Sequence, residues 1–288
     1  MQRNFSTELI TCPVAMGRFS ERMRGQGKTI ALVPTMGCLH EGHLSLVRAA
    51  KQKADVVVVS IFVNPLQFGE NEDLAAYPRP FARDLQLCQE LGVDVVFHPD
   101  ARALYPGEVP TRVEGGPTAK VYCGQTRPIH FGGVLTAVSI LFHVTKPQFA
   151  FFGEKDFQQL FLVRQMCRDL HFSVEICGMP IVREAGGLAM SSRNVYLSPD
   201  RRAIATVLYR AIGAAQQMVR NGERSAAKVL NEVHSLVQSA PEMALDYAEL
   251  VDVNTLARVD QLLGPSRLLL AAFFGDSPRI RLIDNGAV

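Results

Sequence analysis

Two histidines flank a glutamate and a glycine at the point where a predicted strand ends and a predicted helix begins. His40 and His43 close the segment PTMGCLHEGH, which follows the apolar run TIALV. At a helix start, residues three apart face the same side, and the helix N-terminus attracts phosphate through its free N–H groups. This HxGH spacing predicts that both imidazoles bind one polyphosphate. The alternative interpretation makes His40 a capping residue and His43 an exposed side chain.

Two further segments carry cations and hydroxyls suited to a phosphate. Residues 153–156 (GEKD) follow the apolar run FAFF, so Lys155 stands at a strand end where it can neutralise phosphate charge. Residues 190–194 (MSSRN) offer two hydroxyls and a guanidinium for a leaving pyrophosphate. Taken singly, each segment is also compatible with an ordinary charged turn. We expect His43, Lys155 and Arg193 to converge on one triphosphate.

Neutral hydrogen-bonding side chains follow the strongest predicted strand, VVVVSIFV. Asn64 and Gln67 belong to the segment NPLQFG directly after it. Amides at a sheet edge suit a small substrate with hydroxyl and carboxylate groups. The alternative is a simple Asn-Pro turn.

The elements that must position these segments alternate through the first 180 residues. Apolar runs of strand length occupy 29–33, 56–63, 93–97, 149–152 and 174–178, and helical periodicity occupies 42–53, 81–91, 134–144 and 157–170. This order predicts βαβ units in an α/β fold with a parallel sheet, whose carboxyl edge holds the ligand. Later, predicted helices at 199–220 and 225–237 precede predicted strands at 245–251, 267–274 and 279–283. We therefore expect one domain at 1–179 and a smaller α+β domain at 180–288.

Composition excludes several classes of protein. The chain has 288 residues, of which 48% are hydrophobic, and its formal charge is +2. So small a charge gives no field that favours a nucleic acid or an anionic membrane. No run approaches the ~20 apolar residues of a membrane span, and the N-terminus has no signal-peptide pattern. The six cysteines form no metal-binding pattern, so we expect reduced thiols in a soluble cytoplasmic protein.

The blocks PTMGCLHEGH, VSIFVNPLQFGENEDLAAYPR, FFGEKDFQQL and MSSRNVYL, in this order and at these separations, resemble the pantoate–beta-alanine ligase family. The similarity extends from about Lys28 to Asn285. It implies an enzyme of the HxGH nucleotidyltransferase superfamily, with a Rossmann-like N-terminal domain that binds ATP and pantoate and a C-terminal lid. In such a ligase ATP adenylates (R)-pantoate, pyrophosphate leaves, and beta-alanine attacks the adenylate to give pantothenate and AMP.

The resemblance also implies partners and residue roles. Mg²⁺ accompanies ATP, with no protein ligands indicated, and the enzyme is a homodimer. His43 is the proton donor, and His40, Lys155 and Arg193 assist catalysis. The residues implied in ATP binding are Met36, Gly37, His40, Gly42, His43, Gly153, Glu154, Lys155, Asp156, Val182, Met190, Ser191, Ser192 and Arg193. Those implied at the pantoate and beta-alanine site are Gln67 and Gln159, with Asn64, Pro34, Thr35 and Met36.

The charge of His43 is left open by the sequence. A helix N-terminus disfavours the imidazolium form and an adjacent phosphate favours it, although both forms can donate a hydrogen bond.

Two positions depart from the family pattern. Cys123 stands where an acid is frequent and Gly132 where a base is frequent, whereas Arg127 and His130 match the pattern without an assigned role. Rival interpretations are an HxGH enzyme that adenylylates a phosphate, a tRNA-charging synthetase, and a nucleotide-binding scaffold without catalysis.

Overall fold

The computed structural model describes residues 7–70, 72–107, 111–275 and 279–288, and these form two compact units. The first unit contains the residues up to 154 together with 159–180. The second unit contains residues 155–158 and 181–288. The short segment 155–158 therefore belongs to the second unit, although it precedes residues 159–180 of the first unit in the chain.

The first unit is built on a six-stranded sheet, and every pairing in it is parallel. The strand order is β1-β4-β3-β2-β5-β6. The parallel α/β architecture predicted from the sequence is confirmed. The bounds are β1 Glu8–Ile10, β2 Ile30–Thr35, β3 Val56–Ile61, β4 Val95–Phe97, β5 Phe149–Gly153 and β6 Glu175–Met179.

The central strands explain where the loops meet. Strand β3 reads VVVVSI and is buried at all six positions, as expected for a strand covered by helices on both faces. It pairs with β2 in a register that sets Thr35 beside Ile61. Because parallel strands end at the same edge, the loops after β2 and β3 emerge side by side.

Seven helices contribute to this unit within the described ranges. Helix α6 is buried around most of its circumference, and it packs on α1 and on the 3-10 turn Pro65–Gln67. It begins four residues earlier than predicted, at His130, so Gly133 lies in its first turn. The bounds are α1 Pro13–Gly25, α2 Glu41–Lys53, α3 Phe81–Glu90, α4 Ala101–Leu104, α5 Cys123–Thr126, α6 His130–Thr145 and α7 Phe157–Asp169.

The second unit packs three helices on a small antiparallel sheet, with strand order β7-β8-β9. Its core includes Leu208, Val233 and Leu268, none more than 1% exposed. The prediction of one helix over 199–220 is wrong, because the helix is interrupted at Thr206, whose N–H donates to Ala203 O at 3.3 Å and whose hydroxyl donates to the same carbonyl at 2.6 Å. The bounds are α8 Pro199–Ala205, α9 Val207–Arg220, α10 Ala226–Gln238, β7 Met243–Asp252, β8 Ser266–Phe274 and β9 Ile280–Ala287.

Several elements were not predicted, namely β1, α1 and the short helices α4 and α5. All six cysteines are free thiols. Across the ranges that the structure describes, we find no helix with the length and apolarity needed to cross a bilayer.

Candidate active site

The loop between β2 and α2 ends at His40, with His43 in the first turn of α2, and it turns through left-handed backbone. Gly37 has φ +81° and Cys38 has φ +50°. A Cβ at position 37 would lie 3.0 Å from Asp84 Oδ2, so glycine is required there. A left-handed cysteine costs roughly 1–2 kcal/mol, which the surroundings must offset.

A buried carboxylate holds this loop. Asp84, in the first turn of α3, is 1% exposed. Its Oδ2 accepts the Cys38 N–H and its Oδ1 accepts the Leu39 N–H, each at 2.8 Å. Burial raises the pKa of Asp84, although these two hydrogen bonds and the nearby Arg83 and His98 lower it. The carboxylate therefore fixes the backbone immediately before the first histidine.

The amides of the loop before α2 are used inside the protein. Gly37 donates its N–H to Thr35 Oγ1 at 3.1 Å, the next two amides bind the carboxylate, and His40 donates to His43 Nδ1 at 3.4 Å. The first two residues of α2 have no acceptor within the helix. Those amides, rather than the loop amides, are the ones that could bind a phosphate.

The two histidines form one unit at the start of α2. Their ring centroids are 4.1 Å apart, and the planes are inclined by 35°. Because His43 Nδ1 accepts the His40 N–H, a neutral His43 ring carries its proton on Nε2. The His43 atom able to give a proton or a hydrogen bond to a ligand is therefore Nε2.

The turn after β3 holds Asn64 with its amide fully occupied. Its Nδ2 donates to Gln67 Oε1 and to Gly133 O, each at 3.0 Å. Its Oδ1 accepts the Leu66 N–H at 3.2 Å and the Tyr105 hydroxyl at 2.9 Å. An amide makes about four such bonds. The Asn64 amide is thus fully used by protein groups in this structure, one of which is the Gln67 side chain, and its expected contact with a ligand stays a prediction.

Gln67 is held at both its main chain and its side chain. Its carbonyl accepts from Arg127 Nη2 at 3.3 Å and from His130 Nδ1 at 3.1 Å, and Arg127 forms an ion pair with Glu72. The sequence assigned no role to Arg127 or His130. The Gln67 Nε2 lies 3.0 Å from Met36 Sδ. This contact joins the histidine loop and the amide turn at one edge of the sheet.

The two positions that depart from the family pattern are Cys123 and Gly132. Cys123 is buried in α5. A Cβ at Gly132 would lie 3.1 Å from both carboxylate oxygens of Glu114. An arginine in that place would therefore meet Glu114, and the contacts that hold Gln67 do not require it.

In the second unit, Lys155 is anchored through its backbone. Lys155 O accepts from Asn285 Nδ2 at 2.8 Å, and Asn285 Oδ1 accepts from Arg267 Nε at 2.6 Å. The Arg267 guanidinium also stacks over the Phe157 ring, 4.2 Å from its centroid. The Lys155 ammonium lies 3.8 Å from Asp156 Oδ2 and is largely shielded from solvent. The end of β9 therefore fixes residues 155–157 within this unit.

The serine-arginine segment is also built locally. Ser191 Oγ accepts the Arg193 N–H at 3.2 Å and caps the 3-10 turn Ser192–Tyr196. The Met190 N–H donates to Val182 O at 3.0 Å, so the structure brings these two expected ATP-binding residues together. Asn194 is buried and binds Glu184 Oε1 and Ala189 O, which makes it a support of the segment.

The remaining expected residues have simple placements. Thr35 donates its hydroxyl to Ser60 O at 2.8 Å and is used inside the sheet, beside Pro34 at the end of β2. Gln159 lies half-buried in the first turn of α7, and Gly153 ends β5 just before Glu154.

Four residues that the structure places around these segments were missed from the sequence: Asp84, Glu72, Tyr105 and Asn285. Each lies 41 to 130 residues along the chain from the group it holds, and no local spacing identifies such a pair.

The chain matches one family of known proteins along nearly its whole length. A family model described as Pantoate-beta-alanine ligase matches residues 8–287. The chain is 49% identical over 265 residues to a pantothenate synthetase of Desulfitobacterium hafniense, covering 92% of this chain and 93% of that protein. It is 50% identical over 270 residues to a pantothenate synthetase of Thermotoga petrophila, covering 94% and 95%.

Solved structures give the same result. The pantothenate synthetase of Thermus thermophilus superposes with a TM-score of 0.91 at 44% identity, covering 97% of this chain and 99% of that chain. A pantoate-beta-alanine ligase from Francisella tularensis, complexed with beta-gamma ATP and beta-alanine, gives a TM-score of 0.76 at 32% identity, with coverage of 98% and 97%.

Proposed function

Because this chain belongs to the pantoate-beta-alanine ligase family, and so joins pantoate to beta-alanine with ATP, we propose that it works through a pantoyl adenylate held at the carboxyl edge of the parallel sheet. A pantoate carboxylate oxygen attacks the α-phosphorus of ATP, and the bond to pyrophosphate breaks. The amine of beta-alanine then attacks the acyl carbon, AMP leaves, and the amine gives up a proton. The products are pantothenate, AMP and pyrophosphate.

The observation that carries this residue assignment is the 3.0 Å contact of Gln67 Nε2 with Met36 Sδ, which joins the histidine loop to the amide turn. We assign pantoate and beta-alanine to Gln67, and pantoate also to Gln159, because these amides donate to carboxylate or hydroxyl oxygens. Pro34, Thr35 and Met36 form the adjoining wall. Asn64 acts behind Gln67.

His40 and His43 bind the phosphates of ATP together with the first amides of α2. Since His43 Nδ1 is an acceptor for the His40 N–H, its Nε2–H is the group that donates to phosphate oxygens as negative charge builds on them. In this role a neutral ring suffices. The loop residues Met36, Gly37 and Gly42 complete the nucleotide contact by allowing close backbone approach.

The second unit contributes cations and hydroxyls. We assign Lys155 and Arg193 to the charge on the phosphates, with Ser191 and Ser192 as donors. Gly153, Glu154, Asp156, Val182 and Met190 line the nucleotide. Exclusion of water from the adenylate is a task for this unit as a lid, because hydrolysis of the adenylate would waste ATP.

Mg²⁺ accompanies ATP in this proposal. Within the described ranges no three His, Cys, Asp or Glu side chains cluster as a metal site. Mg²⁺ in nucleotide enzymes binds mainly phosphate oxygens and water, together with one or two carboxylates. We assign no protein ligand to it. Homodimerisation, a cytoplasmic location and the absence of a nucleic-acid partner stay predictions.

The adenylate route is tested by pantoate-dependent exchange of labelled pyrophosphate into ATP, measured without beta-alanine. Exchange is expected for the wild-type protein, and His43→Ala should lower it by roughly 10²–10³, by analogy with the loss of one preorganised donor. ATP-dependent product formation without such exchange would reject a reversible adenylate. An unchanged rate in His43→Ala would reject the role of that histidine.

A further inference from the structure

Tyr105 lies at the end of the short helix α4, which follows β4, the neighbour of β3 in the sheet. It is 8% exposed, and its hydroxyl donates to Asn64 Oδ1 at 2.9 Å. The ring contacts Phe62 edge to face, with centroids 5.9 Å apart. The hydroxyl therefore reaches the amide turn from a separate crossover of the fold.

The bonds around Asn64 define which end of each amide faces which neighbour. The Leu66 N–H can only donate and the Gly133 carbonyl can only accept, so the oxygen of Asn64 faces Leu66 and its NH₂ group faces Gly133. The same NH₂ group donates to Gln67, whose near atom must therefore be its oxygen. The NH₂ group of Gln67 is left on the side of Met36.

The Tyr105 hydroxyl completes this chain of donors. It fills the second acceptor position of the Asn64 oxygen, so that the Asn64 amide is held by four bonds rather than three. Burial raises the pKa of Tyr105, so the phenol keeps its proton and remains a donor. Donation runs in one direction, from Tyr105 to Asn64, from Asn64 to Gln67, and from Gln67 toward Met36.

We propose that Tyr105 is a positioning residue for pantoate, which acts through Asn64 to keep the NH₂ end of the Gln67 amide directed at the substrate. The inference rests on the proposed role of Gln67. It specifies that the pantoate group bound by Gln67 is a hydrogen-bond acceptor, a carboxylate or hydroxyl oxygen. Tyr105 itself does not touch the substrate.

The test compares Tyr105→Phe, Gln67→Ala and the double variant by pantoate-dependent pyrophosphate exchange, with KM measured for pantoate and for ATP. Tyr105→Phe should raise the KM for pantoate about 3- to 10-fold, the usual effect of one hydrogen bond, and leave the KM for ATP unchanged. In the Gln67→Ala background the same substitution should change the KM for pantoate less than about 2-fold, because the Gln67 amide through which Tyr105 acts is absent.

Thr145→Val is the matched control, since it also removes one buried hydroxyl from the same unit, at the far end of α6. It should lower thermal stability without changing either KM. An unchanged KM for pantoate in Tyr105→Phe, equal rises for both substrates, or a full effect in the Gln67→Ala background would each overturn the inference. If Gln67→Ala leaves the KM for pantoate unchanged, the role proposed for Gln67 is wrong and the inference falls with it.

Discussion

The loop after β2 and the turn after β3 leave paired strands at the same edge of the sheet, but they are held by different chemistry. In the loop, backbone N–H groups bind a buried carboxylate, Asp84, immediately before the two histidines. In the turn, a buried neutral amide, Asn64, makes four hydrogen bonds within the protein, one of them to Gln67. A charged support suits a loop with strained backbone, because hydrogen bonds to an ionised group are the stronger ones.

The difference has consequences for pH and for packing. Burial raises the pKa of the Asp84 carboxyl group, whereas the Asn64 amide does not titrate and burial raises the pKa of Tyr105 further above its ordinary value. The turn depends instead on close contact with α6, whose Gly133 leaves no space for a side chain. Substitutions in the two regions should therefore change stability, activity and pH dependence in different ways.

The largest effect is expected for Gly133→Ala. The new methyl carbon would lie 2.2 Å from Leu66 O and 2.6 Å from Gln67 N, a clash with backbone that cannot rotate away. We expect a loss of about 3 kcal/mol in the free energy of unfolding, measured in urea, because overpacking forces the backbone to shift. The KM for pantoate should rise more than the KM for ATP.

Gly17→Ala is the control for Gly133→Ala, because Gly17 is also a helical glycine of the first unit, and its nearest neighbour would lie at 4.0 Å. This substitution should be neutral or stabilise the protein by about 0.5–1 kcal/mol. Similar stability of the two variants would contradict the packing argument.

The second effect is expected for Asp84→Ala. Two buried amides lose their acceptor, which should cost about 2 kcal/mol and loosen the loop before His40. Pyrophosphate exchange should fall at least about 10-fold at saturating substrates, by misplacing the histidines. Asp94→Ala is the matched control, since Asp94 Oδ2 accepts the Val57 N–H at 2.8 Å near the opposite end of β3. Equal losses of activity in both variants would assign Asp84 a purely structural role.

The smallest effect concerns the pH dependence of stability. Burial raises the pKa of Asp84 above its ordinary value of 3.8, so the folded state binds this proton more tightly than the unfolded state. The contribution of Asp84 to stability is therefore greatest below pH 3.8 and falls as pH rises through the raised pKa. Urea titrations of the wild-type protein and of Asp84→Asn give the difference between their free energies of unfolding. This difference should decrease as the pH rises from 3.8 through the raised pKa of Asp84. Tyr105→Phe should show no such slope in the acid range, and a slope of the opposite sign for Asp84→Asn would refute the assignment.

Much of the fold follows from local pattern. The runs around β2, β3 and β5 are apolar at nearly every position, and the parallel arrangement follows from the alternation of strands with helices. Elements with weak periodicity were missed, such as α1, which contains two glycines and several exposed polar residues. The break at Thr206 is a local change of backbone hydrogen bonding, which a hydrophobic pattern does not record.

The candidate site was likewise predicted only in part from local sequence pattern. Motif spacing alone singled out the histidines, the amide turn and Lys155, which follow predicted strands, and the serine-arginine segment, which lies in a loop past the predicted domain boundary. It also suggested that Asn64 contacts a ligand, and in this structure the Asn64 amide is used in hydrogen bonds within the protein. The missed supports come from distant parts of the chain.

The sequence by itself therefore determined the parallel sheet and the resemblance that names the chemistry, and it gave the candidate side chains for binding a phosphate or a small acid. Only the tertiary structure decided the direction in which each donor faces: Nε2 as the outward atom of His43 and the NH₂ end of Gln67. Hydrogen-bond direction is decided by the partner on the other side of the group, and here those partners include residues such as Gly133 and Tyr105 that only folding brings near.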